Sequence, residues 1–246
     1  MPDLIVGVIG GLGPAATLEF CRRILDHSEA TSEQDHIHLI IDNNPKVPDR
    51  NAAICGSGLS PLPALVSSAQ RLESAGADFL VMPCNSAHAF APGIQRAVAI
   101  PLLNMIEQTV TELVSRHHNT DSIGILAADA CLTAELYQTA LGDQGIAFHR
   151  LSDRQQSRFM KTLYTIKTYG VSSKERHAMQ DFANHLHDQG AEIILAGCTE
   201  VPLALDSCNC PIPVVDTLDV LSKHTVLYAK QKRKLFDQFT YCLRAS

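Results

Sequence analysis

GADFLVMPCNSAH (76–88) and GAEIILAGCTEVP (190–202) are two versions of one pattern. Each opens Gly-Ala-acidic, runs through an apolar segment of strand character, and ends in a cysteine followed by small polar residues. The step from Gly76 to Cys84 equals the step from Gly190 to Cys198, and the two cysteines stand 114 positions apart. Outward from this pair the echo continues. LIVGVI (4–9) matches DSIGILA (121–127) through Gly7 and Gly124, and IPLLN (100–104) matches IPVVD (212–216) through Pro101 and Pro213. The offsets of 117, 114 and 112 drift by only a few residues, as duplication with small loop changes would leave them. The period is far too long for a solenoid and suits two related halves with a site between them.

Strand-like apolar runs alternate with amphipathic stretches along the whole chain, which argues for parallel sheets covered by helices. Strands are expected at 4–9, 37–42, 78–82, 100–105, 121–127, 145–151, 192–196 and 212–216. Helices are expected at 15–27, 61–75, 131–141, 153–168, 174–190 and from 217, carrying on to 241. Residues 51–60, containing Gly and Ser, read as a mobile segment. The fold class expected is α/β: two pseudo-symmetric three-layer lobes with mainly parallel sheets and the active site in the cleft between them. The first lobe would comprise 1–105 plus 214–246, and the second 106–213.

With 246 residues, 46% hydrophobic and 19% charged, the chain can bury a sizeable core. Its net charge of −6 argues against an extended nucleic-acid surface, and KQKRK (230–234) reads as a solvated helix face. The start, MPDLIVGVIGG, lacks the basic and long apolar regions of a signal peptide. No apolar run reaches the roughly 18 residues of a membrane span. A cytoplasmic protein with neither membrane nor nucleic-acid partner is expected, its eight cysteines reduced.

Cys84 and Cys198 each fall where a strand gives way to a helix start, with Ser86 and Thr199 as natural caps. A helix N-terminus lowers a thiol's pKa, so each cysteine is a candidate acid or base. One on each face of a substrate carbon would remove a proton on one side and return one on the other, without a cofactor. The acidity of that carbon needs donors around its carboxylate. The GGLGP turn with Gly11 and Gly13, and the Asn85, Ser86 and Thr199 turns, are candidates. Arg50, in a loop at a strand's carboxyl end, suits a second carboxylate through a bidentate fork.

GVIGGLGP, NNPKVPDR, MPCNSAH, YTIK and GCTEVP, in this order, resemble the aspartate/glutamate racemase family, and within it the aspartate racemase branch. The resemblance runs from about residue 5 to 220. It implies a PLP-independent amino-acid racemase with two pseudo-symmetric lobes, a small-molecule amino-acid substrate, no cofactor, and a homodimer. By motif it assigns Cys84 and Cys198 as the two catalytic bases. Asn85, Ser86 and Thr199 would hold the α-carboxylate end, and Arg50 and Lys167 the side-chain carboxylate. Glu200 would orient a base or cap the helix. Leu12 stands where Met is common and Ser86 where Thr is common, which bears on specificity more than on activity.

Other readings stand beside this one. A glutamate or broad-specificity racemase, a two-cysteine diacid isomerase and a non-catalytic dicarboxylate or amino-acid binding protein share the same cleft. GGLGPAA (10–16) also fits the loose dinucleotide fingerprint, with Asp42 as the ribose-binding acid, but that leaves the paired cysteines unexplained. Cys21, Cys55, Cys131 and Cys242 read as small core residues. Cys208 and Cys210 lack the further ligands a metal site needs, so no metal is expected. His88, four residues after Cys84, would tune that thiol or serve as a structural hydrogen-bonding group.

Overall fold

The computed structural model describes residues 3–117 and 120–230. The expected continuation of the last helix to 241, Cys242 and residues 231–234 of KQKRK lie outside the described residues.

Two all-parallel sheets carry the fold. The first comprises β1 (Val6–Gly10), β2 (Leu39–Asn43) and β3 (Phe79–Val81) in the order β2-β1-β3. The second comprises β4 (Ser122–Ala127), β5 (Ala147–Arg150), β6 (Ile193–Gly197) and β7 (Val214–Asp216) in the order β5-β4-β6-β7. The central strands β1 and β6 are buried at every residue. That is why they read as unbroken apolar runs rather than alternating ones.

Each sheet is the middle of three layers. On the first, Phe20 and Ile24 of α1 (Pro14–His27) and Leu218 and Leu221 of α11 (Thr217–Ala229) pack on Val6, Val8, Phe79 and Val81. On its other face, Leu65 and Leu72 of α3 (Leu62–Ser74) and Ile94 of α4 (Ala91–Gln95) meet Ile9, Leu80 and Met82. On the second sheet, Phe159 and Leu163 of α8 (Asp153–Tyr169) and Met179 and Phe182 of α9 (Ser173–Asp188) meet Leu126, Ile194 and Ala196. Opposite them, Val110 and Leu113 of α5 (Met105–Arg116) and Tyr137 and Leu141 of α7 (Leu136–Gly142) cover Ile123, Ile125, Ile193 and Leu195.

The duplication persists in the packing. A Cβ at Gly7 would stand 2.8–3.1 Å from Leu80, Ala77 and Leu72, and one at Gly124 would stand 3.0–3.1 Å from Ile194, Ala191 and Leu186. The second trio is the first moved on by 114 positions, the same step that separates the cysteines. In both halves a glycine lets a helix approach the central strand closely.

Four local expectations change. IPLLNM is no strand; only an isolated bridge links Leu80 to Leu102. The Leu80 N–H still donates to the Pro101 carbonyl at 2.8 Å, as the Ile194 N–H does to Pro213 at 2.9 Å. Asn104 then caps α5, accepting from the Ile106 and Glu107 N–H groups, as Asp216 caps α11 at the equivalent place after β7. The single helix expected at 131–141 is two, α6 (Asp129–Thr133) and α7, separated by Glu135 at φ +51°. The segment 51–60 opens with a helical turn, α2 (Arg50–Ile54), which the Asp49 side chain caps by accepting from the Ala52 N–H at 2.7 Å. Cys55, at its end, is exposed rather than a core residue, whereas Cys131 is buried and Cys21 half-buried. Finally β7 pairs with β6, so residues 214–216 belong to the second sheet, and the chain returns to the first lobe's core with α11.

Candidate active site

β3 and β6 end at one cavity, and the residues after each strand form its floor. Cys84, Asn85 and Ser86 follow β3; Gly197, at the end of β6, and Cys198, Thr199 and Glu200 line it from the other lobe. Arg50 and Lys167 also line it, from α2 and α8. So eight of the ten expected site residues meet in one place. The cavity is partly open to solvent, and its water-accessible space is about 40 Å³, room for a few water molecules.

Gly11 and Gly13 do not line this cavity. The Gly11 N–H donates to Thr17 Oγ1 at 2.9 Å, so it is spent inside the turn rather than offered to an anion. Gly11 sits at φ +84°, and a Cβ there would lie 2.3–2.4 Å from the Asn44 backbone. Gly11→Ala is therefore expected to cost roughly 3 kcal/mol or more and to lower the thermal midpoint by about 10 °C. A Cβ on Gly13 meets nothing within 4 Å, so Gly13→Ala should leave the midpoint nearly unchanged. Asp42, the alternative ribose-binding acid, is held by Arg71 Nη2 at 2.5 Å.

The caps expected of Ser86 and Thr199 are not made. Asn85 precedes a 3₁₀ turn, Ser86–Phe90, and Glu200 precedes the four-residue α10 (Val201–Ala204), with no side-chain cap on either. The four-residue α10 after Cys198 carries little dipole. Cys198, 8% exposed, instead donates its Sγ–H to Glu200 Oε2 at 2.9 Å. Burial first, and then the Glu200 charge, push its pKa well up, while Lys167 pulls it down. The Thr199 hydroxyl donates to the same Glu200 oxygen at 3.3 Å, and Lys167 Nζ is 3.8 Å from it. Burial works against the Lys167 ammonium, but the acidic groups around it, Glu200 among them, outweigh it and take its pKa to about 12.

Cys84 is half-buried. Its carbonyl lies 2.8 Å from His88 Nδ1, and the Met105 N–H donates to His88 Nε2 at 3.0 Å. With Nε2 accepting, Nδ1 carries the proton and donates to Cys84. Burial drops the imidazole to about 4, so it is neutral. His88 is thus a structural strut between the Cys84 turn and α5. Asn85, 3% exposed, joins the lobes: Tyr137 donates its hydroxyl to Asn85 Oδ1 at 2.5 Å. Asn85 Nδ2 donates to Thr217 Oγ1 at 3.1 Å, and Thr217 donates to the Ala196 carbonyl at 2.9 Å.

Arg50 is built in rather than free. Nη1 donates to the Val47 and Pro48 carbonyls at 3.3 and 3.1 Å, and Nη2 to Leu12 at 2.6 Å. Its Nε is buried, and nothing among the described residues accepts from it. The Nε–Nη2 edge therefore keeps one N–H on each nitrogen, which is the fork that grips a carboxylate side-on.

The sequence reading passed over Asp49, Asn51, Met160, Leu163 and Tyr164, all in the cavity wall. Two signals pointed to them. Asp49 and Asn51 flank Arg50, and Met160, Leu163, Tyr164 and Lys167 follow i, i+3, i+4, i+7 spacing on one face of α8. Among the described residues no three His, Cys, Asp or Glu side chains are placed to hold a metal ion. None of the described helices is long and apolar enough to cross a membrane.

Comparison with known proteins agrees with this architecture. The broad specificity amino-acid racemase RacX of Bacillus subtilis is 26% identical over 227 residues, spanning 90% of this chain and 96% of the relative. A glutamate racemase of Desulforudis audaxviator is 29% identical over 149 residues, 58% of this chain and 52% of that one. Among solved structures, the Picrophilus torridus aspartate racemase matches with a TM-score of 0.83 at 28% identity, over 92% of this chain and 94% of that one. The glutamate racemase of Francisella tularensis shares the fold, with a TM-score of 0.67 at 15% identity over 96% and 85% of the two chains. The family model described as Asp/Glu/Hydantoin racemase matches residues 9–225. By that match, over most of its length, the chain belongs to the Asp/Glu/hydantoin racemase family.

Proposed function

We propose that this amino-acid racemase interconverts L- and D-aspartate through two thiols, Cys84 and Cys198, without a cofactor. One observation carries the reading: equivalent cysteines of the two halves open into one cavity from opposite lobes. In each direction one sulfur, as thiolate, takes the Cα proton. The other, as thiol, delivers its proton to the opposite face of the carbanion. The substrate leaves with the two cysteines in exchanged protonation states. The family resemblance adds a homodimer to this reading.

The neighbouring groups divide the remaining work. The Nε–Nη2 edge of Arg50 and the ammonium of Lys167 take the side-chain carboxylate. The hydrogen of Asn85 Nδ2 not given to Thr217, with the Ser86 and Thr199 turns, takes the α-carboxylate. Glu200 keeps Cys198 in its thiol form, so this sulfur starts as the acid in the free enzyme. Activity should fall at high pH as the thiol of the acid partner is lost. Glu200→Gln removes the negative charge that raises Cys198, so the alkaline limb of the kcat/KM profile is expected to move to lower pH. An unmoved limb would remove Glu200 from this role.

A broader amino-acid range is the second reading. The apolar wall formed by Met160 and Leu163 favours it, and one methylene more or less in such a wall discriminates by only about 1–3 kcal/mol. The test is proton NMR of the purified protein with L-aspartate in D₂O, without added cofactor. Loss of the α-proton signal with formation of D-aspartate is expected. Silence with aspartate but exchange with glutamate or a neutral amino acid selects the second reading. Silence with all of them, with ligand-induced thermal stabilisation, selects a binding protein.

A further inference from the structure

At the first turn of α6, Ala128 stands at the N-cap position and has no side-chain group to offer, and the Asp129 N–H meets Met160 Sδ of its own lobe at 3.4 Å. The next N–H is served from the other lobe. Asn51 Oδ1 accepts from the Ala130 N–H at 2.8 Å, across 79 positions of sequence. Asn51 is the residue after Arg50, and both lie in α2, which Asp49 closes into a compact turn. The same five-residue element thus carries Arg50 into the cavity and Asn51 onto the second lobe. Beyond it, residues 55–60 are exposed, with Gly56 at φ +85°, so α2 is little packed on that side. Asp49 and Tyr164, both exposed, form the cavity rim with Asn51 between the lobes.

A space of about 40 Å³ holds a few waters, whereas sites that enclose a small molecule run to some hundreds of cubic ångströms. An amino acid needs more room than this partly open cavity gives, and α2 on α6 is a place where its walls touch. We infer that Asn51 is a positioning residue. Its side-chain carbonyl latches the Arg50-bearing turn to the second lobe in the closed site and lets go as substrate enters or leaves. One part-buried hydrogen bond to a backbone N–H is worth only a few-fold in an equilibrium. Such a latch holds the closed form without trapping it.

The inference rests on the racemase reading only for its kinetic arm, so the first test is independent of turnover. Purified protein is treated with iodoacetamide without substrate, and each cysteine is followed by peptide mass spectrometry. Asn51→Ala is expected to label Cys84 and Cys198 about five-fold faster than wild type, with Cys208, already exposed, unchanged. Asn51→Asp keeps an acceptor oxygen in place and is expected to label near the wild-type rate. Wild-type rates in Asn51→Ala, or equally fast labelling in both variants, overturn the latch. With aspartate, Asn51→Ala should raise KM about five-fold and leave kcat within about two-fold; a fall in kcat at constant KM overturns it. If wild type shows no turnover with aspartate, the proposed function fails while the labelling rates still decide the latch.

Discussion

Cys198→Ala and Cys84→Ala are each expected to lower racemisation of aspartate by at least about a thousandfold, since each removes an obligatory proton carrier. The more telling result is what each variant retains. With one thiol left, a single face of the substrate can still exchange. In D₂O each variant should wash out the α-proton of one enantiomer with retention, and the two variants should choose opposite enantiomers. A general loss of structure would not produce that mirror-image pattern. Cys198 is buried and Cys84 half-buried, and each change removes one sulfur atom, so thermal midpoints should stay within a few degrees. Racemisation above a tenth of wild type in either variant would falsify the two-thiol mechanism. Washout of both enantiomers by one variant would assign both faces to a single sulfur.

The duplicated pattern around these cysteines made the fold legible because parallel sheets impose it twice. Gly7 and Gly124 are read from sequence as matching glycines, and they match because each admits an equivalent trio of side chains, one from a helix and two from the turn and strand that follow it, displaced by 114 positions. The misses are local. IPLLNM has the apolar character of IPVVD, its first hydrogen bonds follow suit, and Asn104 caps α5 as Asp216 caps α11, so the two differ only in how far the strand pairing runs. Asn104 with Glu107 three residues on is an N-terminal signal, so α5 was readable from sequence. Glu135 in a left-handed conformation was not, because a glutamate gives no warning of positive φ.

At the site, motif order located the cavity and missed its electrostatics. Strand-to-helix placement of the cysteines suggested thiols lowered by helix ends. At Cys198 the helix that follows is too short for that, and burial and Glu200 act in the opposite sense. Gly11 was credited with an anion-facing N–H, but Thr17, six residues on, takes that bond. Such a side-chain to backbone closure is set by rotamers and cannot be read from glycine spacing. Conversely, α8 presents Met160, Leu163, Tyr164 and Lys167 on one face by simple helical periodicity, so YTIK held more site information than its lysine alone.

Arg50→Ala is expected to lower kcat/KM for aspartate by about a hundredfold, the scale of losing two charge-assisted hydrogen bonds from a half-buried fork. The effect on a neutral amino acid, measured in the same preparation, should be several-fold at most, because such a substrate has no second carboxylate to lose. Arg50→Lys separates charge from shape. An ammonium cannot reproduce the Nε–Nη2 edge while also serving the Leu12, Val47 and Pro48 carbonyls that Arg50 now holds. It should therefore recover only a minor part of the loss. Lys167, with 41% of its side chain exposed, contributes a more solvated charge, and Lys167→Met should cost less than Arg50→Ala at ordinary ionic strength. Equal losses for aspartate and the neutral substrate in Arg50→Ala would place the guanidinium on the α-carboxylate, or make it a strut for the 47–50 loop. A thermal midpoint unchanged from wild type would then decide for the α-carboxylate, since loss of the strut would orphan three carbonyls and lower it.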